Sequence, residues 1–149
     1  MNRKTIFCGF RTEGFTLAEV LIVVVILGVL AAIALPRFFP QAEKSRTAEA
    51  IGILSAIRQG EESYILENGQ YLDPSTQVDG WAQLGIDDPN PGRYFNYSVG
   101  VNNGANPKTF LATATRNSNL DPQSLYRTKT ITLDQDGTYG GDHPFRPNN

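Results

Sequence analysis

The chain is poor in the residues that carry most metal, redox and catalytic chemistry. Its 149 residues include one cysteine, Cys8, and one histidine, His143. One cysteine cannot close a disulfide within the chain, and these two residues alone do not make a zinc ligand set. The sequence also lacks a Ser/His/Asp order, a phosphate-binding glycine loop and carboxylates paired in a recognisable catalytic setting. We therefore expect no catalytic residues and no enzyme, and we expect His143 to be solvated.

Basic charge is scarce as well. Thirteen Lys and Arg residues face 15 Asp and Glu residues, which gives a net charge of −2. Residues 1–14 hold three of the basic residues and one of the acidic ones, so without them the net charge is −4. The sequence thus gives no direct signal for nucleic-acid binding, which depends on a basic surface. Basic residues just before an apolar segment predict instead that the N-terminus stays in the cytoplasm.

One long apolar run dominates the N-terminal part. Residues 15–35 contain a single charged residue, Glu19. As a helix they span roughly 30 Å, which is close to the hydrocarbon thickness of a bilayer. The pattern predicts a membrane helix over residues 15–40. We expect a kink at Pro36, since proline lacks an amide hydrogen and crowds the carbonyl four residues earlier.

The order of leader and apolar run leaves two processing routes open. A secretory signal carries its apolar core before the cleavage site, whereas here a polar leader of residues 1–14 comes first. Ordinary signal peptidase has a candidate site of its own, because Ala32-Ile33-Ala34 fits the small-x-small pattern. Cutting there would release a soluble periplasmic binding domain that begins at Leu35.

The rest of the chain, residues 41–149, predicts a small α+β head. Apolar residues at helical spacing indicate an amphipathic helix whose polar surface includes Glu43 and Glu61. An antiparallel sheet packed on the apolar face of this helix is the simplest architecture. The predicted segments are the helix at 41–68, a loop at 69–92 with a helical turn at 81–84, a sheet at 93–139 and a loosely held tail at 140–149. Within the sheet, strands are predicted at 94–101, 110–116 and 128–133.

One hexapeptide resembles a known processing signal. Gly14-Phe15-Thr16-Leu17-Ala18-Glu19 follows a basic leader and precedes an unbroken apolar run. This resembles the class III signal of type IV pilins and of type II secretion pseudopilins, and the likeness covers roughly residues 1–69. It implies that a prepilin peptidase cuts between Gly14 and Phe15 and methylates the new amino group of Phe15.

The resemblance also implies a route by which membrane-bound subunits assemble into a filament. Subunits would wait in the inner membrane, with the N-terminus cytoplasmic and the head outside. An inner-membrane assembly platform with an ATPase would then draw them into a homopolymeric helical filament, an extracellular fibre or a periplasmic pseudopilus. Residues 15–40 would form its core. Some family members close the C-terminal region with a disulfide, which this chain cannot do, since no cysteine follows Cys8.

Glu19 is the residue on which assembly is expected to depend. A carboxylate at the centre of a membrane helix costs about 2.5–3.5 kcal/mol, and less near an end. From position alone Glu19 could simply reach the lipid headgroups. Alternatively it pairs with the ammonium of Phe15 in a neighbouring subunit, as its counterpart does in the family. With the processing motif beside it, we predict the pairing.

Three aspartates are weak candidates for calcium: Asp134, Asp136 and Asp142. Major pseudopilins bind calcium in this region, which is what the resemblance contributes. An EF-hand loop is excluded, because Thr132 and His143 would occupy its first and last ligand positions. The pattern favours a strand that ends in an Asp-Gly turn, with Thr138 and Tyr139 beginning the return. No cofactor is therefore expected.

Overall fold

The computed structural model describes residues 14–120 and 124–148, with the backbone alone at residues 35–37. Its elements, in chain order, are α1 (Leu17–Asn68), α2 (Gly80–Gln83), β1 (Phe95–Asn102), β2 (Thr109–Arg116), β3 (Thr130–Asp134) and β4 (Tyr139–Gly140). The predicted α+β class is confirmed. Cys8 and most of the leader lie outside the described residues.

Helix α1 carries both predicted helical segments without interruption. It spans 52 residues, and the helix continues through Pro36. The kink predicted there stays a prediction. The chain divides into two compact units, the second of which begins at Gln41. In the first unit the stretch Leu17–Ala34 is long and apolar enough to cross a membrane, and none of it is buried.

The second unit is built on a four-stranded antiparallel sheet in the order β1-β2-β3-β4. Val99 lies opposite Ala112, which in turn lies opposite Leu133. Because side chains alternate across a strand, these residues share one face of the sheet, and α1 packs on that face. The core consists of Ala50, Leu54, Ile57, Phe95, Tyr97, Val99, Phe110, Ala112, Ala114, Ile131 and Leu133. The three predicted strands and the short helical turn are confirmed within two residues.

Two carboxylates expected on the polar surface of the helix are buried instead. Glu43 is 2% exposed and Glu61 is 0% exposed. The charge of these two side chains suggested that they face solvent. Which face of the helix a residue occupies, however, depends on its spacing along the helix. Glu43 lies seven residues before Ala50, and Glu61 lies four after Ile57, so both fall on the buried face.

The C-terminal segment is not the loosely held tail that the sequence predicts. Strand β4 extends the sheet to Gly140 by pairing with β3. Beyond it, the His143 backbone N–H donates to the Thr130 carbonyl oxygen at 2.9 Å. The expectation that His143 is solvated is wrong, because its side chain is 0% exposed. The aromatic rings of Phe95 and Tyr126 flank it, and these neighbours come from distant parts of the chain.

Candidate functional site

The first turn of α1 is closed by a reciprocal pair of side chains. The Thr16 backbone N–H and the Thr16 hydroxyl both donate to Glu19 Oε2 at 2.8 Å. In return, the Glu19 backbone N–H donates to Thr16 Oγ1 at 3.2 Å. This is a capping box, and a carboxylate there also complements the positive end of the helix dipole. Glu19 therefore has a local role within one subunit, which the Thr16-x-x-Glu19 spacing already signals.

The proposed cleavage point lies directly before this capped turn. Gly14 and Phe15 precede the helix, and the Phe15 side chain is 88% exposed. A Cβ atom added to Gly14 would meet nothing within 4 Å. The bond between the two residues is thus sterically accessible, while cleavage itself stays a prediction. The capping box uses Oε2 of Glu19, so Oε1 remains outside that exchange.

The N-terminal part of α1, Leu17–Ala34, exposes apolar residues on every side of the helix. Each large apolar residue from Val20 to Ile33 is at least half exposed. A contiguous apolar surface of this size marks a site of contact with lipid or protein. Gly28, Ala31 and Ala32 lie in the same stretch, and small residues of this kind let another helix approach closely.

A buried ion cluster lies in the second unit. Arg116 Nε donates to Glu43 Oε1 at 2.8 Å, and Arg116 Nη2 donates to Glu43 Oε2 at 3.2 Å. Both side chains are almost fully buried. Arg46 also contacts Glu43 Oε2, at 3.4 Å. Burial raises the pKa of Glu43, but the hydrogen bonds and charge of Arg116, together with the hydrogen bonds of His143 and Arg46, outweigh burial and hold the pKa below its usual value.

His143 completes this cluster as a neutral side chain. Its Nδ1 accepts the Phe145 backbone N–H at 3.3 Å, so the ring proton belongs on Nε2. Nε2 lies 3.3 Å from Glu43 Oε1 and donates to it. Burial lowers the pKa of His143, and the nearby Arg116 charge acts in the same direction against the attraction of Glu43.

Glu61 is a second buried carboxyl, without a cationic partner at hydrogen-bond distance in the described part of the chain. Its Oε2 accepts the Leu72 backbone N–H at 2.9 Å. Among the described residues no hydrogen-bond partner reaches its Oε1. Burial raises the pKa of Glu61 to about 7, and the negative charge of Asp73 adds to the rise. This group therefore changes its charge near neutral pH.

The three candidate calcium ligands are not brought together. Asp134 Oδ1 accepts the backbone N–H groups of Asp136 and Thr138 at 3.0 and 2.8 Å, which builds the Asp-Gly turn that the sequence favours. Asp142 instead accepts from Lys129 Nζ and the Thr130 backbone N–H, and this holds its pKa well below the usual range. These contacts lie at opposite ends of β3, roughly 13 Å apart. Within residues 14–120 and 124–148 no group of three or more His, Cys, Asp or Glu side chains could hold a metal ion. The expectation that the chain holds no cofactor stays a prediction.

Comparison with known proteins places this N-terminal arrangement in a family. Residues 10–35 match the family model described as the prokaryotic N-terminal methylation motif. The type IV major pilin protein PilA of Myxococcus xanthus is 37% identical over 89 residues, which cover 60% of this chain and 37% of the relative. A fimbrial protein of Pseudomonas aeruginosa is 36% identical over 74 residues, 50% of this chain and 48% of the relative. The chain thus matches less than half the length of these two proteins.

A third relative aligns along most of both chains. The type II secretion system core protein G of Pseudomonas aeruginosa strain PAO1 is 32% identical over 137 residues, which cover 88% of this chain and 89% of the relative. No solved structure matches the chain. The names of these relatives describe pilus and secretion-system subunits rather than enzymes. With the methylation motif at its N-terminus and a relative aligned over most of its length, the chain belongs to the family of type IV pilins and type II secretion pseudopilins.

Proposed function

We propose that this chain is a structural subunit of a type IV pilus-like filament and not an enzyme. It polymerises through its N-terminal helix after cleavage between Gly14 and Phe15 and methylation of Phe15. The observation that carries the proposal is the stretch Leu17–Ala34, of which no part is buried. Its apolar surface needs lipid before assembly and the helices of other copies afterwards. Before assembly the subunit lies in the inner membrane, with its N-terminus cytoplasmic and its head outside.

Apolar burial alone does not drive this assembly. Lipid tails and neighbouring helices are similarly apolar, so close packing and polar contacts decide the association. Glu19 supplies the polar contact, because its Oε1 lies outside the capping box. Once lipid or other helices surround this carboxylate, it pays a desolvation cost. Pairing with the Phe15 ammonium of a neighbouring copy offsets that cost and sets the axial register. Prepilin peptidase and an assembly platform with its ATPase are the partners that this route requires.

Processing is tested by determining the N-terminus of the mature protein. We expect the chain to begin at methylated Phe15. A start at Leu35 would instead indicate ordinary signal peptidase and a released soluble domain, and it would refute filament assembly through this helix. Gly14→Leu is the control, because a bulky side chain beside the scissile bond should block cutting there while Ala32-Ile33-Ala34 stays intact.

Assembly is tested with two variants that separate charge from helix capping. Glu19→Gln keeps an oxygen that can accept from Thr16, since glutamine also serves in a capping box, but it removes the charge. Thr16→Ala removes the cap, at about 1 kcal/mol of helix stability, and keeps the charge. We expect Glu19→Gln to be cleaved normally yet to lower the yield of sheared filaments by about tenfold or more, as loss of about 1.4 kcal/mol would.

Thr16→Ala should assemble at near wild-type yield. The reverse outcome, with filaments from Glu19→Gln and none from Thr16→Ala, would show that the cap is required rather than the charge. Cleavage of both variants is followed by mass spectrometry, so that a processing defect is not mistaken for an assembly defect.

A second candidate function is that of a type II secretion pseudopilin, which would form a short periplasmic filament. The observation that favours it is the alignment with core protein G of Pseudomonas aeruginosa strain PAO1 through 88% of this chain, whereas the pilus proteins described above align with 60% or less of it. Long fibres outside the cell would indicate the pilin. Loss of protein export on deletion, or stable calcium binding at Asp134 and Asp136, would indicate the pseudopilin.

A further inference from the structure

We propose that residues 139–148 form a noncovalent C-terminal latch on the head, and that the latch opens on mild acidification when His143 takes up a second proton. The inference concerns the second unit alone and does not depend on filament assembly. It assigns a role to a buried histidine that the proposed function leaves unused.

His143 makes several of the contacts that hold the latch, beside the Tyr139 hydroxyl, which lies 3.1 Å from Ser55 Oγ on α1. Strand β4 contributes two residues to the sheet. Beyond β4, the His143 backbone N–H donates to Thr130 O at 2.9 Å, and the Arg146 backbone N–H donates to His143 O at 3.2 Å. Asp142 contacts Lys129 and Thr130, but the side chains of Asp142 and Lys129 are 56% and 41% exposed. Solvent screens such a pair, so the fully buried His143 is the stronger attachment.

The surroundings of His143 accept one protonation state. Rings of Phe95, Tyr126 and Phe145 lie with their centroids 5.7, 5.7 and 5.9 Å from the imidazole. A second proton would sit on Nδ1, which already accepts the Phe145 backbone N–H. Two N–H groups would then face each other, and the hydrogen bond that closes the turn at residues 143–145 would be lost.

The charges around the imidazole do not stabilise the cationic form that a second proton would create. From α1, Glu43 attracts it, but both oxygens of Glu43 already accept from Arg116, which lies on β2 and repels a cation. Arg46 binds the same carboxylate. Lys44 lies 5.5 Å from the centroid of the Phe145 ring and adds a further positive charge, while Asp142 within the latch is a more distant attraction. The titratable side chain of Tyr126 also faces the imidazole, with the ring centroids 5.7 Å apart.

The direction of the pH effect follows from burial. Because the pKa of His143 is lowered in the folded head, its contribution to stability is present above its ordinary value of 6.5 and is lost as the pH falls. The pKa values of Glu43 and Asp142 are also lowered, so both stay ionised above their ordinary values of 4.5 and 3.8. Glu61, with a pKa of about 7, gains a proton in the same window, but that change favours the folded head and cannot mimic opening.

Amide hydrogen exchange of the full-length protein in non-ionic detergent micelles tests the latch. Protection is compared at about pH 7 and about pH 5 after correction for intrinsic exchange rates. We expect the amides of His143, Phe145 and Arg146 to lose protection by about tenfold or more, since the hydrogen bond that closes the turn at residues 143–145 is lost. Amides of β1 and β2 should keep theirs. Unchanged protection in the latch, or a uniform loss throughout the head, would overturn the proposal.

Two variants identify the titrating group. His143→Gln cannot take up a proton, so the ratio of latch protection at the two pH values should approach one, even if the latch is weaker at both. Glu49→Gln is the control, because Glu49 pairs with Arg93 outside the latch, and it should keep the wild-type ratio. A wild-type ratio in His143→Gln would refute the assignment.

If that variant fails to fold, the titration of the His143 ring in the wild-type protein is the deciding measurement. An apparent pKa below 6.5 that coincides with the loss of protection supports the latch, and one at or above 6.5 refutes it.

Discussion

Arg116→Met should lower the free energy of unfolding of the head by about 3–5 kcal/mol, because it leaves the Glu43 carboxylate buried without its main charge partner. Arg116 makes both hydrogen bonds to the two oxygens of Glu43, and Arg116 Nη1 also donates to Tyr94 O at 3.0 Å. Denaturant unfolding of the full-length chain in detergent micelles measures the effect. The single tryptophan, Trp81, packs against the core and reports on it.

A double-mutant cycle separates the ion pair from the cost of isolating a charge. Glu43→Leu combined with Arg116→Met should recover most of the loss, because an apolar pair can replace a buried ion pair at little cost. Arg93→Met is the control, since Arg93 and Glu49 form an ion pair whose side chains are 45% and 51% exposed. That exposed pair should contribute less than about 1 kcal/mol. Equal effects of Arg116→Met and Arg93→Met would show that burial does not set the strength of the Glu43 pair.

We expect the free energy of unfolding of the head to fall by about 3 kcal/mol between about pH 5 and pH 8. In this range Glu61 ionises without a cation at hydrogen-bond distance. The folded-state pKa is raised from 4.5 to about 7. Its stabilising contribution is therefore complete below pH 4.5 and is lost as the pH rises through 7. Glu61→Gln should remove this slope, which is measured as the difference between the unfolding free energies of wild type and variant at each pH.

Glu62→Gln is the matched control for Glu61. It makes the same chemical change one residue later, at a half-exposed side chain that pairs with Arg58. The pH profile of this variant should run parallel to that of the wild type. If Glu61→Gln also runs parallel to the wild type, Glu61 does not titrate in this range. The variant is compared with the wild type at each pH because protonation of His143 changes the free energy of unfolding in the opposite direction. That change is common to both proteins and cancels in the difference.

Much of the fold follows from local sequence. The capped start of α1 depends on Thr16 and Glu19, three residues apart, and the end of α1 depends on Gly69, whose φ of 70° favours glycine. Strands β1 and β3 alternate apolar and polar residues, and the bounds of β1, β2 and β3 are predicted within two residues. Strand β4 has two residues and no alternation to detect. Its pairing depends on the turn at Asp134, which brings Tyr139 beside Leu133.

For this protein the sequence by itself determined the processing motif, the apolar helix, the α+β class and the absence of a C-terminal disulfide, because each depends on neighbouring residues or on composition. Spacing along the helix places Glu43 and Glu61 on the face of Ala50 and Ile57, but the tertiary structure alone decided what covers these two side chains and that His143 is buried. Burial of a side chain depends on what lies across from it. Arg116 on β2 and the turn at residues 143–145 reach Glu43 from 73 and 100 residues away, a distance over which no sequence periodicity extends.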